Sequence, residues 1–203
     1  YEFNSSFIGP EYKNNEVLNE LNKRSIKFIE LLNPAKDVAK LISDGEIIAV
    51  FNGRMEFGER ALGNRSILAD PRNPETKDKI NSIIKYREKY RPFAPAILKE
   101  EAPKYFEVPN DFECNYMEKV VQIKKEFQKK LPAVTHVDGS GRIQTVSKSH
   151  NPFFYDLILE FSKISNFPIL LNTSFNVNNE PIACSVGDAL NTFYNSGLKK
   201  LLI

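Results

Sequence analysis

The chain has 203 residues, 41% of them hydrophobic and 27% charged, the make-up of an ordinary globular domain. A net charge of +2 leaves no global polycation of the kind that coats nucleic acid, so a nucleic-acid partner is not expected. No run is apolar enough for a membrane span or a signal peptide, and Cys114 and Cys184 lie far apart without metal-ligand spacing, which argues against a disulfide scaffold or zinc site and fits a reducing, cytoplasmic setting.

Residues 1–12 read as a loop with a Gly9-Pro10 turn. Val17, Leu18 and Leu21 have helical spacing and predict a helix over 14–24. Asn33-Pro34 starts a second helix with Val38, Leu41 and Ile42 on one face, and Gly45 stops it. Ile47 to Phe51 is a continuous apolar run that suits a buried strand. Ser66 to Ala69 and Phe93 to Leu98 read as further strands. Between them Asn73-Pro74 caps a helix whose face is Ile80, Ile83 and Ile84. Residues 100–116 predict a short helix and an irregular loop, followed by a strand over Val120–Ile123. Val134–Val137 and Arg142–Val146 flank Asp138-Gly139-Ser140-Gly141, a hairpin signature that places Arg142 at its tip. Asn151-Pro152 caps a helix carrying Phe154, Leu157, Ile158 and Phe161, and Pro168–Leu171 is a strand running into Asn172–Asn176. Ser185 and Asp188 form a capping-box pair for a last helix that Gly197 stops. Strands and helices mix without strict alternation, which predicts a mixed sheet covered by helices. The chain starts with Tyr1 and stops in the apolar run Leu201–Ile203, as a piece of a longer polypeptide would.

The segment from Asn52 to Pro95 holds six of the eight arginines: Arg54, Arg60, Arg65, Arg72, Arg87 and Arg91. The twenty lysines are spread more evenly. A guanidinium is a rigid fork that grips phosphate or carboxylate at two points, and lysine does not replace it there. Gly53, Gly58 and Gly63 recur among the first three arginines, and glycine lets a backbone turn and approach a bound anion. The bland alternative is a solvated face, with the arginines paired to Glu56, Glu59, Asp70 and Glu88. Two other places stand out. Arg142 follows a Gly-Ser-Gly turn. Asn172, Thr173, Ser174 and Asn176 cluster where a buried strand ends, a common ligand position in open sheets. His136 and His150 read as structural, and Cys184 as a small core residue.

The runs GRMEFGERALGNRSILADPRNP, KYREKYRPFAPAIL, LPAVTHVDGSGRIQTV and PILLNTSFNVNNEPI occur in that order. In these motifs the chain resembles the C-terminal domain of bacterial O-carbamoyltransferases of the nodulation, cephamycin and tobramycin type. The resemblance implies an α/β (α+β) fold, a YrdC/Sua5-like twisted mixed β-sheet flanked by helices. It implies that residues 13–203 form this domain, with 1–12 a remnant of an absent N-terminal Kae1-like transferase domain. A Lys-x-Arg element, here Lys85 and Arg87, is paired in such domains with a Ser-x-Asn element, here Ser174 and Asn176. The implied reaction joins carbamoyl phosphate to ATP, with Mg2+, as carbamoyl-adenylate. Iron and the hydroxyl acceptor belong to the Kae1-like domain. Lys85, Arg91, Arg60 and Arg142 are then the expected catalytic residues. Arg54, Arg65, Arg87, Asn172, Thr173, Ser174 and Asn176 would bind substrate and nucleotide. Glu59, where the family usually has proline, and Glu88-Lys89-Tyr90 depart from the pattern. The competing readings are a threonylcarbamoyl-adenylate synthase of tRNA modification and a non-catalytic nucleotide- or RNA-binding module.

Overall fold

The spine of the fold is a mixed sheet of seven strands, seen in a computed structural model that describes residues 5–86, 88 and 91–203. The strands are β1 (Ile48–Phe51), β2 (Arg65–Ala69), β3 (Ala94–Leu98), β4 (Lys119–Gln122), β5 (Ser140–Val146), β6 (Ile169–Ser174) and β7 (Lys200–Leu202). Their spatial order is β4-β5-β3-β6-β2-β1-β7. β1 with β7 and β3 with β5 are parallel, and the remaining neighbours are antiparallel.

The central strands are buried on both faces, which is why they read as continuous apolar runs. Ile48, Val50, Leu68, Leu98 and Leu170 face one way, onto helices α2 (Pro34–Ser43) and α6 (Pro152–Ser165). Their neighbours Ala49, Phe51, Ile67, Ile97 and Leu171 face the other way, onto Leu21 of α1 (Asn14–Lys23), Ile80 of α3 (Thr76–Ile80) and Val186, Ala189 and Leu190 of α7 (Val186–Tyr194). This period-two split makes three layers, helices on both faces of one sheet. Short helices α4 (Ala102–Tyr105) and α5 (Lys125–Gln128) complete the α-helices among the described residues.

The caps follow the sequence closely. Asn151 Oδ1 accepts the Phe154 N–H at 3.0 Å to open α6, and Ser185 with Asp188 forms the capping box of α7. At α2 the Asn33 side chain makes no capping bond, so Pro34 alone marks that start.

Two expectations differ from the structure. Val134–Val137 is not a strand, and the hairpin does not form; the antiparallel partner of β5 is β4, with Arg142 opposite Val120. Leu131, Ala133 and Val134 are all buried, so this stretch buries one side in successive turns rather than alternating. Its backbone bonds run from Val134 and Thr135 N–H to Leu131 O, and from Gly139 N–H to His136 O. Arg142 is therefore a strand residue and not the tip of a turn.

The second difference follows α3. Asn73 closes a turn onto the Glu75 N–H instead of capping a helix. After Ile80 the chain widens into a π-helical turn, Asn81–Lys85, closed by the Tyr86 N–H on Asn81 O at 2.7 Å, with Tyr86 at φ +43°. π-turns are rare and re-aim the side chains that follow them. Here the turn places Lys85, only 4% exposed, beneath the end of β6.

Candidate active site

A pocket of about 280 Å³ opens at one end of three adjacent strands, β5, β3 and β6. Arg142 comes from β5, Ala94 from β3, and Asn172, Thr173 and Ser174 from the end of β6. The loop between β1 and β2 supplies Glu59 and Arg60, the approach to β3 supplies Arg91, and the turn before β5 supplies His136. Three guanidiniums from three separate stretches thus meet one carboxylate, so the lining favours an anion.

The loop that presents Arg60 is shaped by Glu56. This 4%-exposed residue accepts the N–H groups of Leu62 and Asn64 at 2.7 Å each, and of Arg65 at 3.2 Å, on Oε1. A carboxylate gathering three backbone donors fixes a loop without needing a cationic partner. Gly63 sits inside that turn at φ +120°, and a Cβ there would come within 2.4 Å of the Phe154 ring. The glycine's close approach is thus to the protein's own core, while its neighbours carry the arginines outward.

The arginines of the segment divide. Arg60 and Arg91 line the pocket with about half of each side chain exposed, and pair loosely with Glu59 at 4.0 Å and Glu88 at 3.9 Å. Pairs so long and wet hold a side chain weakly. Arg142 has no carboxylate partner among the described residues. Arg65 does not reach the pocket. It is fully buried, stacks 3.8 Å over the Phe51 ring, and donates to the carbonyls of Asn52, Asn64, Gly53 and Pro10 at 2.9–3.2 Å. Burial pulls its pKa below the ordinary guanidinium value, against the field of Glu56. The expectation that Arg65 binds substrate does not fit this geometry. Nor does it for Arg54, which pairs with Glu11 and the Gly9 carbonyl away from the pocket. Arg72 grips Asp70 and is structural in the way the bland reading held. Arg87 lies outside the described residues, as do Lys89 and Tyr90.

Lys85 and the Ser-x-Asn element do meet. Lys85 Nζ donates to Ser174 O at 2.6 Å, Ser174 Oγ at 3.2 Å, Asn176 O at 3.0 Å and Asn176 Oδ1 at 2.7 Å. Asn176 Nδ2 is anchored on Glu180 O. Lys85 is thus a buried clamp behind the pocket, not the surface lysine that its place at a helix exit suggests.

His136 is the pocket residue that sequence reasoning set aside. Its ring sits in the turn read only as a hairpin signal, next to the Asp-Gly-Ser-Gly run. Burial holds its pKa below the usual histidine range, with Arg142 and Lys77 pushing the same way and Asp138 opposing, so the ring is neutral at neutral pH.

Three arginines, a histidine and backbone-fixed loops at one end of a mixed sheet give this α/β domain a pocket whose lining suits an anion. The comparisons make it particular. The Carbamoyltransferase C-terminus family matches residues 39–203, and the chain belongs to that family. It is 49% identical to nodulation protein NolO of Bradyrhizobium diazoefficiens over 83% of its own length and 31% of that protein. It is 51% identical to nodulation protein NolNO of Sinorhizobium fredii, covering 83% of the chain and 25% of that protein. An uncharacterized protein of Methanocaldococcus jannaschii is 41% identical over 97% of the chain and 33% of its own length. The chain therefore spans a third or less of these relatives. Full-length HypF, solved in a phosphate- and nucleotide-bound form, shares the fold with a TM-score of 0.57 at 21% identity, over 84% of this chain and 21% of HypF.

Proposed function

We propose that this domain is the adenylate-forming part of an O-carbamoyltransferase, taking MgATP, carbamoyl phosphate and water to carbamoyl-adenylate, phosphate and pyrophosphate. The observation that carries the reading is the convergence of Arg60, Arg91 and Arg142 on one pocket at the end of β6. Carbamoyl phosphate and ATP crowd negative charge that repels unless cations are fixed beforehand. Family membership supports the carbamoyl chemistry, and the phosphate and nucleotide in HypF support the anion class.

In the proposed course water splits carbamoyl phosphate into carbamate and phosphate. A carbamate oxygen then attacks the α-phosphorus of ATP, and pyrophosphate leaves. Arg60, Arg91 and Arg142 hold phosphoryl oxygens as charge shifts between them. Lys85 and Asn176 keep Ser174 and Thr173 in place at the wall. The enclosing strands limit water, which matters because both carbamate and its adenylate decompose in it. Magnesium enters with ATP, carried on phosphate oxygens. Iron, acceptor recognition and the final transfer to a hydroxyl are assigned to a Kae1-like domain beyond these 203 residues, and the whole is placed in the cytoplasm.

With MgATP, the chain is expected to release pyrophosphate only when carbamoyl phosphate is added, and to carbamoylate no hydroxyl acceptor by itself. Release driven by threonine and bicarbonate instead would favour the threonylcarbamoyl-adenylate reading. Binding of ATP with no release under either condition would favour a non-catalytic module.

A further inference from the structure

Ala61 and Leu62 follow Arg60 directly and are buried, and neither of their carbonyls meets a backbone N–H among the described residues. A buried carbonyl left without a donor is costly, so each has to find a side chain. Both find amides that stand on the sheet. Asn172 Nδ2 donates to Ala61 O at 3.1 Å, and Gln144 Nε2 donates to Leu62 O at 2.9 Å. Asn172 Nδ2 also donates to Gln144 Oε1 at 2.8 Å, so the two amides form one relay. On its other side Leu62 gives its N–H to Glu56. The residue two places after Arg60 is thus pinned at both of its backbone polar groups.

The register of the sheet makes this relay possible. Gln144 of β5 stands opposite Ala96 of β3, Asn172 of β6 stands opposite Ala94, and β3 runs between the other two strands. Paired residues and residues two apart on a strand share a face, so both amides and both alanines lie on one side of the sheet. Two strands with a third between them are roughly 10 Å apart, and a bond across that gap needs small residues on the strand in the middle. Alanine at 94 and 96 leaves the path open. Arg142 precedes Gln144 by two residues on β5 and shares its face.

Gln144 itself is 3% exposed and is not part of the pocket lining, whereas Arg60, Ala61, Arg142 and Asn172 all line it. Pairing two buried carbonyls needs two donors and nothing more. It does not need the donors to be bonded to each other, nor one of them to share a strand face with a pocket arginine. We infer that Gln144 is a positioning residue of the pocket: through the Leu62 carbonyl, and through Asn172 and the Ala61 carbonyl, it fixes Arg60 relative to Arg142 so that both guanidiniums meet one anion. The inference rests on the proposed reading of this pocket as an anion site, and is independent of which group the anion carries. A binding group displaced by about 1 Å loses much of its effect, up to about a hundredfold in a reaction rate.

The test is a double-mutant cycle read by calorimetric titration with inorganic pyrophosphate. Gln144→Met keeps the length of the side chain and removes both of its bonds. It is expected to weaken pyrophosphate binding about tenfold in the otherwise unaltered chain, and by less than about twofold when Arg60 is already replaced by alanine, because nothing is then left to position. In an Arg91→Ala chain the loss is expected to stay at about tenfold, since Arg91 comes from the approach to β3 and takes no part in the relay. Where Gln144→Met does not fold, Gln144→Glu serves in the same cycle: it keeps the shape and the acceptor for Asn172 but turns an oxygen toward the Leu62 carbonyl. An equal loss in every background is the result of a merely structural glutamine and overturns the inference, as does a Gln144 variant that binds like the unaltered chain. If the coupling to Arg60 appears but the chain releases no pyrophosphate from ATP with carbamoyl phosphate, the proposed reaction falls and the positioning role stands. If the unaltered chain does not bind pyrophosphate, the anion site and this inference fall together.

Discussion

Arg65 and Arg60 lie five residues apart in one arginine-rich segment, the first opening β2 and the second in the loop before it, and have opposite fates. Arg65 turns inward, flat on Phe51, with its guanidinium shared among four backbone carbonyls. Arg60 turns outward to the pocket with only a 4.0 Å contact to Glu59. The same contrast separates Lys85, sunk beneath Ser174 and Asn176, from Arg91 on the rim. The lesson is that one charged segment builds both a buried floor, which at Arg65 lies away from the pocket, and the working surface of the site. The floor spends its charge on the protein, and the rim keeps its charge for a ligand.

Breaking the floor should cost stability first. Arg65→Met keeps bulk against Phe51 but takes the guanidinium from four carbonyls, of which Asn64 O and Pro10 O keep the N–H groups of Asn52 and Met55, and is expected to lower the unfolding free energy by roughly 4 kcal/mol in a denaturant titration. A loss under about 1 kcal/mol would show that water can replace the guanidinium. Lys85→Met should come next, with about 3 kcal/mol lost, since the Ser174–Asn176 turn loses the ammonium that ties it down. Its pyrophosphate release should fall with the fold.

The rim should answer in the reverse way. Arg60→Ala and Arg91→Ala are expected to change stability by no more than about 0.5 kcal/mol. Each should slow carbamoyl-phosphate-dependent pyrophosphate release by about a hundredfold, the usual effect of removing one preorganised donor. Variants that lose activity only by melting would erase the distinction between floor and rim.

A smaller effect sharpens it. His136 is held neutral by burial, so its folded pKa lies below the free value of 6.5. The unfolded chain therefore binds the proton first as the pH falls, and stability present above 6.5 is lost on the way down through the folded pKa. Replacing the ring by Asn should remove this part of the acid sensitivity, seen as a shallower fall in melting temperature between neutral and mildly acid pH. An identical slope would mean that the ring titrates as in solution.

Much of the fold was legible because its signals are local. The caps at Asn151 and Ser185 and the apolar runs of β1, β2 and β3 lie within two residues of where spacing and composition put them, while β6 runs past its apolar stretch to Ser174. The hairpin was not, since a Gly-rich turn beside an apolar stretch looks the same whether Val134 joins a sheet or packs into the core through turns. The π-turn was invisible for a related reason: Ile80, Ile83 and Ile84 keep helical spacing, and only the closing bond from Tyr86 to Asn81 adds the extra residue. Of the site, residue type singled out Arg60, Arg91, Arg142, Asn172, Thr173 and Ser174, and all six line one pocket. Which arginine faces inward depends on Phe51 and on carbonyls brought in from Pro10 and Asn52, contacts that no spacing encodes. His136 stayed hidden because its place in the pocket wall comes from the packing of the turn before β5, which spacing does not encode.

The central claim is that the pocket's arginines serve adenylate formation, and the exchange of labelled pyrophosphate into ATP tests it most directly. Exchange runs only if carbamoyl-adenylate forms reversibly on the protein. It is expected with carbamoyl phosphate and MgATP, to be absent without carbamoyl phosphate, and to fall about a hundredfold in Arg142→Ala at an unchanged melting temperature. Exchange that ignores carbamoyl phosphate, or that survives intact in Arg142→Ala, would contradict the account.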